Sequence, residues 1–377
     1  MPGLDPATVE ATRTEPGQQF EVAFVQDTEH RRWVVRAPLS PAAGAQMDVT
    51  VALLNLLARR LPFAVPVPQG FVALKEGGRV AVYPYLPGHP LDLRHLPAGP
   101  GLAAEIGRGL AALHNVDLRL FDEAGLPAYD ADTYRTRRLA ELDRAAATGH
   151  VPTGLLARWE RALEDVTLWR FAPTPTHGDV SGEHLLAVFP DDEDAAAGTL
   201  KAVTGWENAK VADPADDFAT LVGQASPEAF DSVMEAYANS RVERPDKHLE
   251  QRARLAHELR LVSGLLGATS AGDDRLVEQY VDRLGRLDDA TSEEDAAAGP
   301  VAEPQRLRDR AAHAAMAAAA DGLAFAAPSA PAAAVEPGVT AAWPRHGLAG
   351  TGAQGDATEP EPHPEPGSTA RSEPWSD

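Results

Sequence analysis

One stretch constrains this chain more than any other. It runs His177-Gly178-Asp179-Val180-Ser181-Gly182-Glu183-His184 and continues into the apolar residues Leu185 to Val188. A polar turn follows, Asp191 to Gly198, and then a second apolar run, Leu200 to Thr204. Loop, apolar run, turn and apolar run read as a loop feeding a β-hairpin. A Gly beside an Asp at the start of a strand can hold one carboxylate in a fixed position.

The chain before this stretch reads as a small antiparallel sheet with one packed helix. Phe20, Val22 and Phe24 alternate with Glu21 and Ala23, and Trp33 to Pro38 forms a second strand across a turn at Asp27 to Arg31. Pro41 to Gln46 reads as a loop. Met47, Leu54, Leu57 and Leu61 then fall at helical spacing, giving a helix that ends before Pro62. Phe71 to Leu74 and Val80 to Tyr85 form another hairpin around Gly77-Gly78. Residues 1–16 are polar and Pro-containing, and read as loose. Tyr83-Pro84-Tyr85-Leu86-Pro87-Gly88 breaks the strand pattern and suits a hinge.

Beyond the hinge the periodicity is helical. Leu102, Ile106, Leu110 and Leu113 mark one helix, and Tyr134, Leu139 and Leu142 mark another. Leu156, Trp159, Leu163 and Val166 mark a third, with Thr153 as its N-cap. Ser226-Pro227-Glu228 starts a helix carrying Phe230, Val233, Met234 and Tyr237. Leu255 to Leu266 and Val277 to Leu284 give two more. From about Thr291 the composition shifts to Ala, Pro, Glu and Gly. That portion has too few large apolar residues to offset the entropy of ordering, so a disordered tail is expected over 291–377, with an Ala-rich helix conceivable over 305–320.

The organisation expected is therefore an α+β chain of two lobes. The first spans 16–86; the second, 87–290, is helical. The 377 residues suit two such units, and the net charge of -22 argues against nucleic acid or an anionic membrane as the main partner. There is no Cys, hence no disulfide framework and no thiol chemistry. No run approaches the roughly 18 apolar residues of a membrane span, and Met1 to Gly17 lacks a signal-peptide core. A soluble, cytoplasmic protein is expected.

A fixed carboxylate beside metal ligands is what phosphoryl transfer requires. The loop resembles that of the aminoglycoside/choline-kinase-like phosphotransferases, whose pattern is roughly H-G-D-x-x-x-x-N followed by apolar residues. Here His184 takes the Asn position, and the macrolide phosphotransferases resemble the chain most because they carry His there too. Arg36, Leu113-His114, and Asp213-Pro214 with Asp217-Phe218-Ala219 follow the family order, and the resemblance spans about residues 16–290. It implies a two-lobed protein-kinase-like fold, with 16–86 binding nucleotide and 87–290 carrying the catalytic and acceptor groups, and a nucleotide-dependent O-phosphotransferase. The donor would be ATP or GTP with Mg²⁺, and the acceptor a hydroxyl of a small molecule such as a macrolide or aminoglycoside-like compound.

The resemblance also assigns roles. Asp179 would be the catalytic base, with His177 holding the loop. Arg36 would clamp the phosphates, and the backbone of Tyr83, Tyr85 and Leu86 would hold the nucleotide base. Asp213 and Asp217 would cap the next helix and brace the loop. His184 would bind the metal or touch phosphate. The family places a second metal ligand, an Asp, in a segment like V-I-D-W, but here Gly205 stands before Trp206. If the strand continues, Glu207 points to the same face as Gly205 and replaces that carboxylate as metal ligand. The usual Glu partner of Arg36 on the first helix is absent, as is a G-x-G-x-x-G. The phosphates would then be covered by a turn near Gly17 to Phe20.

Two readings follow: a working phosphotransferase, or a degenerate kinase-like binding or regulatory module. The acceptor is expected against the helices after residue 226. Glu228, Asp231 and Glu235 there suit either a cationic amino sugar or a solvated face.

Overall fold

The structure is a computed structural model that describes residues 3–12, 18–74, 78–190 and 197–298. The N-terminal region is an antiparallel sheet of β1 (Pro6–Ala11), β2 (Phe20–Asp27), β3 (Arg32–Pro38), β4 (Gly70–Ala73) and β5 (Arg79–Pro84), in the order β1-β2-β3-β5-β4. Helix α1 (Pro41–Leu57) lies between β3 and β4 in the chain. The turn joining β2 to β3 is closed by the buried Asp27 carboxylate, which accepts the Glu29 and Arg31 N–H groups and the Trp33 indole N–H. Met47 and Val51 of α1 pack with Phe20, Ala81 and Tyr83 of the sheet. Leu53, Leu54 and Leu57 of the same helix enter the main core.

Two local expectations change. Helix α1 starts at Pro41, where a loop was expected, and stops at Leu57 rather than just before Pro62. Ser40 Oγ accepts the Ala43 N–H at 3.1 Å, and Pro41 takes the first turn, where no N–H is needed. The N-terminal segment read as loose contains β1, which pairs antiparallel with β2. All of its side chains are exposed, so backbone hydrogen bonds alone hold it and no apolar alternation betrays it.

The remainder is mainly helical. It comprises β6 (His89–Pro90), α2 (Leu102–His114), α3 (Arg119–Glu123), α4 (Ala131–Ala147), α5 (Thr153–Glu164), β7 (Thr174–Thr176), β8 (Leu185–Val188), β9 (Thr199–Val203), β10 (Lys210–Ala212), α6 (Ala219–Gln224), α7 (Pro227–Ser240), α8 (Leu249–Ala271) and α9 (Asp274–Ala298). The expected hairpin is β8 against β9, with Leu185 opposite Val203, and β6 adds to its other edge. Strand β7 pairs with β10. Leu102, Ile106 and Leu113 of α2 meet Phe230, Val233 and Tyr237 of α7 in the main core. A second core joins Leu142, Trp159, Leu163, Leu259, Val262 and Leu284 from α4, α5, α8 and α9. Each such fully buried side chain stabilises by about 1.5–3 kcal/mol.

Pro152, not Thr153, is the N-cap of α5, and no side chain caps it. Helix α9 runs to Ala298, past the expected start of the tail at 291; the rest of that tail, with the Ala-rich 305–320, lies outside the described residues. Among the described residues no helix is long and apolar enough to cross a membrane.

A buried ionic network fixes the turn after β10. Arg252 of α8 is 1% exposed and forks onto Asp213 at 2.7 and 3.1 Å and onto Asp246 at 2.8 Å. Asp213 also accepts the Ala215 N–H at 3.0 Å. Asp216 accepts the Tyr134 hydroxyl and pairs with Lys210 at 3.0 Å and Arg138 at 3.2 Å. Burial alone would raise the Asp216 pKa, but the Lys210 and Arg138 charges hold it at about 2. Its stabilising contribution is therefore complete above the unfolded value of 3.8 and is lost as pH falls towards 2. Denaturant titrations at pH 7 and pH 3 should show that loss, and Asp216→Asn should flatten it while costing on the order of 2 kcal/mol at neutral pH.

Candidate active site

Strand β7 delivers His177 to the turn that presents Asp179. Gly178 has φ +81°, and a Cβ there would sit 2.2 Å from the Asn208 carbonyl oxygen, so only glycine fits. The turn hangs on one carboxylate. Asp217 accepts the His177 N–H at 2.9 Å and the Gly178 N–H at 2.6 Å. Its Oδ2 also accepts from His114 Nε2 at 3.0 Å, while His114 Nδ1 meets the Tyr237 hydroxyl at 2.8 Å. Burial alone would raise the Asp217 pKa, but the His114 hydrogen bond and the loop hold it below the usual carboxylate range.

His177 is buried, and burial pushes its pKa down, so the ring is neutral. Its partners set the tautomer: Nε2–H donates to the Thr204 carbonyl at 2.7 Å, and Nδ1 accepts the Asp179 N–H at 3.2 Å. His177 thus ties the turn to the end of β9.

The Asp179 carboxylate is part-exposed and has two neighbours. Oδ1 accepts from Arg260 Nη2 at 3.0 Å, and Oδ2 lies 3.9 Å from His184 Nδ1. His184 Nδ1–H donates to the Asp179 carbonyl at 2.8 Å, which fixes the imidazole against the turn. Arg260, on α8, also donates to Thr220 Oγ1 at 2.6 Å. Sequence reasoning missed Arg260, because the α8 pattern was read only through its apolar positions and its partner lies 81 residues away.

Between the sheet and the β8–β9 hairpin is a cavity of about 430 Å³, and Arg36, Tyr83, Tyr85, Leu86, His184 and Glu207 all line it. Arg36 reaches Glu207 Oε1 at 2.5 Å, and its guanidinium lies 4.3 Å from the Phe20 ring centre. The Gln46 amide holds the Glu207 carbonyl at 2.7 Å. Burial would raise the Glu207 pKa, but the Arg36 charge and hydrogen bond keep it lowered. The carboxylate partner that α1 lacks thus comes from the turn after β9. Asp48 of α1 pairs with Arg79 instead, at 2.7 Å.

That turn corrects the premise behind Glu207 as a metal ligand. Strand β9 ends at Val203, Gly205 has φ +78°, and Trp206–Asn208 forms a 3-10 turn, so the strand does not carry on to 207. A Cβ at 205 would lie 2.3 Å from His184 Nε2: the imidazole fills the space a side chain there would need. Among the described residues no group of three or more His, Cys, Asp or Glu is arranged to hold a metal ion. With Glu207 held by Arg36 and no carboxylate at 205, the donors do not fit a resident Mg²⁺, which favours oxygen ligands in octahedral geometry. Of the turn expected to cover the phosphates, Gly17 to Phe20, Gly17 lies outside the described residues and Phe20 opens β2.

Residues 10–248 match the phosphotransferase enzyme family. The chain belongs to that family. This phosphotransferase-family chain is 27% identical over 232 residues to the uncharacterized protein YcbJ of Bacillus subtilis (strain 168), covering 57% of this chain and 71% of that one. Among solved structures it is similar to the apoenzyme of macrolide 2'-phosphotransferase MphH from Brachybacterium faecium. The identity is 27% and the TM-score 0.63, over 75% of this chain and 94% of that one. A GDP complex of wild-type aminoglycoside 2'-phosphotransferase-IIIa has a TM-score of 0.65 at 20% identity, over 77% of this chain and 95% of that one, and supports the fold alone. The antiparallel-sheet lobe followed by a helical lobe is thus the kinase-like fold of this family.

Gly205→Asp should lower stability by about 1–3 kcal/mol, since it combines left-handed strain with the imidazole contact. Adding His184→Ala should return part of that loss. A double-mutant cycle in urea measures the coupling, and simple additivity would show that the ring does not occupy the space.

Proposed function

We propose that the chain is a nucleotide-dependent O-phosphotransferase that acts on a hydroxyl of a small molecule. One observation carries the reading: the Asp179 carboxylate neighbours a lining residue of each of two cavities. On one side it lies 3.9 Å from His184, which lines the cavity with Arg36 and Tyr83 to Leu86. On the other it pairs at 3.0 Å with Arg260, which lines a second cavity beneath α8 and α9. A donor in the first and an acceptor in the second would meet at Asp179.

In this reading Asp179 accepts the hydroxyl proton as the acceptor oxygen attacks the terminal phosphorus. The bond to the bridging oxygen breaks, and a nucleoside diphosphate leaves. Arg36 neutralises phosphate charge, and Glu207 aims its guanidinium. Tyr83 to Leu86 hold the base of ATP or GTP; a solved relative was captured with GDP. Macrolides and aminoglycosides, which the names of the solved relatives specify, form the reference acceptor panel. The Gly205 geometry favours a second reading, a module that binds nucleotide without transfer.

Transfer of labelled phosphate from ATP or GTP to that panel and to neutral and anionic hydroxylated compounds, read beside calorimetric nucleotide binding, separates the two. Asp179→Ala should lower turnover at least a hundredfold with nucleotide affinity little changed; wild-type turnover in that variant would remove Asp179 as base. Glu207→Gln should weaken nucleotide binding several-fold through Arg36 at every Mg²⁺ concentration. A change confined to the Mg²⁺ midpoint would instead make Glu207 a metal ligand.

A further inference from the structure

The second cavity, about 470 Å³, has a chemistry of its own. Arg260, Arg283 and Arg286 line it, with His257, Thr220 and Glu258. Glu258 is the only carboxylate among the lining residues, and it is already engaged: it accepts the Trp159 indole N–H at 2.6 Å and lies 3.5 Å from Arg158. Arg283 and Arg286 form no ion pair among the described residues; the Arg283 guanidinium lies 5.5 Å from the ring centre of Tyr280, which also lines the cavity. In a chain of net charge -22, three arginines thus line one pocket: Arg260, engaged by Asp179 and Thr220, and the exposed Arg283 and Arg286. Burial first, and then the Arg260 and Arg283 charges, push the His257 pKa down, as cationic surroundings would. Arg283 and Arg286, which no carboxylate engages among the described residues, favour a carboxylate or phosphate, which arginines bind bidentately.

The acidic residues that would suit a cationic amino sugar are elsewhere. Glu228, Asp231 and Glu235 are exposed on α7 and do not line this cavity. Arg260, Arg283 and Arg286 all lie beyond residues 10–248, the portion that matches the family. The cationic lining is thus supplied by the part of the chain outside that match.

We infer that the acceptor is a hydroxylated small molecule carrying an anionic group, with its hydroxyl at Asp179 and its anion held by Arg283 and Arg286. The inference rests on the phosphotransferase reading above. Arg260 stands between the two ends, bonded to Asp179 and lining the cavity. This polarity repels cationic acceptors such as aminoglycosides.

The test uses the full chain and an Arg283→Ala/Arg286→Ala double variant. Gluconate and glycerol 2-phosphate are the anionic probes, and glucose and kanamycin the neutral and cationic controls. Binding is followed by thermal shift at constant ionic strength, with and without ATP or GTP. The wild type should respond to one or both anions and not to the controls, and the double variant should bind the responding anion at least tenfold more weakly. The stronger anion distinguishes a carboxylate from a phosphate ester. Equal anion binding by the two proteins, no anion response in the wild type, or a kanamycin response as strong as the anionic one overturns the inference. Failure of ATP and GTP to bind either protein overturns the phosphotransferase reading, and the acceptor role with it, whatever the anion response.

Discussion

Two backbone N–H groups on one buried carboxylate hold the site in place. Asp217 accepts from His177 and Gly178, and the arrangement works because Gly178 can take a backbone that other residues cannot. Leaving those N–H groups unpaired would cost on the order of 1–3 kcal/mol each. Asp217 is itself held through His114 to Tyr237, so the contact between α2 and α7 in the main core reaches the turn that carries Asp179. The Arg252 fork onto Asp213 keeps the whole turn after β10 from shifting. Packing in the helical region thus becomes placement of one carboxylate.

The two sides of that carboxylate are built differently. Towards the sheet, the cavity wall mixes aromatic and aliphatic residues with a single Arg36–Glu207 pair. Towards α8 and α9 the wall is guanidinium-rich. A planar base with a polyphosphate suits the first, where apolar surface and one strong cation lie together. On the proposed transfer reaction, discrimination between acceptors would fall to the second, where charge dominates.

The elements that bury one face were legible in the sequence: β2 and β3, the β8–β9 hairpin, and α2, α7 and α8 through their apolar spacing. Helix α1 was half-legible, because its start rests on a Ser-Pro cap that small residues follow. Strand β1 buries nothing and left no pattern. At the site, the residues around the hinge and the loop could be found because each lies beside a recognisable turn. The Arg36–Glu207 pair could not, since it joins positions 171 apart through a turn set by a left-handed glycine. Nor could Arg260, a lone charge on a helix read for its leucines.

The imidazole of His184 lying over Gly205 ties the histories of two positions together. While the ring fills that space, any residue with a Cβ at 205 meets selection first as a folding defect. A carboxylate introduced at 205 would have to displace the His184 ring from this position, so the two sites are coupled. What position 205 tolerates is therefore decided by how the ring at 184 is held as much as by its own backbone.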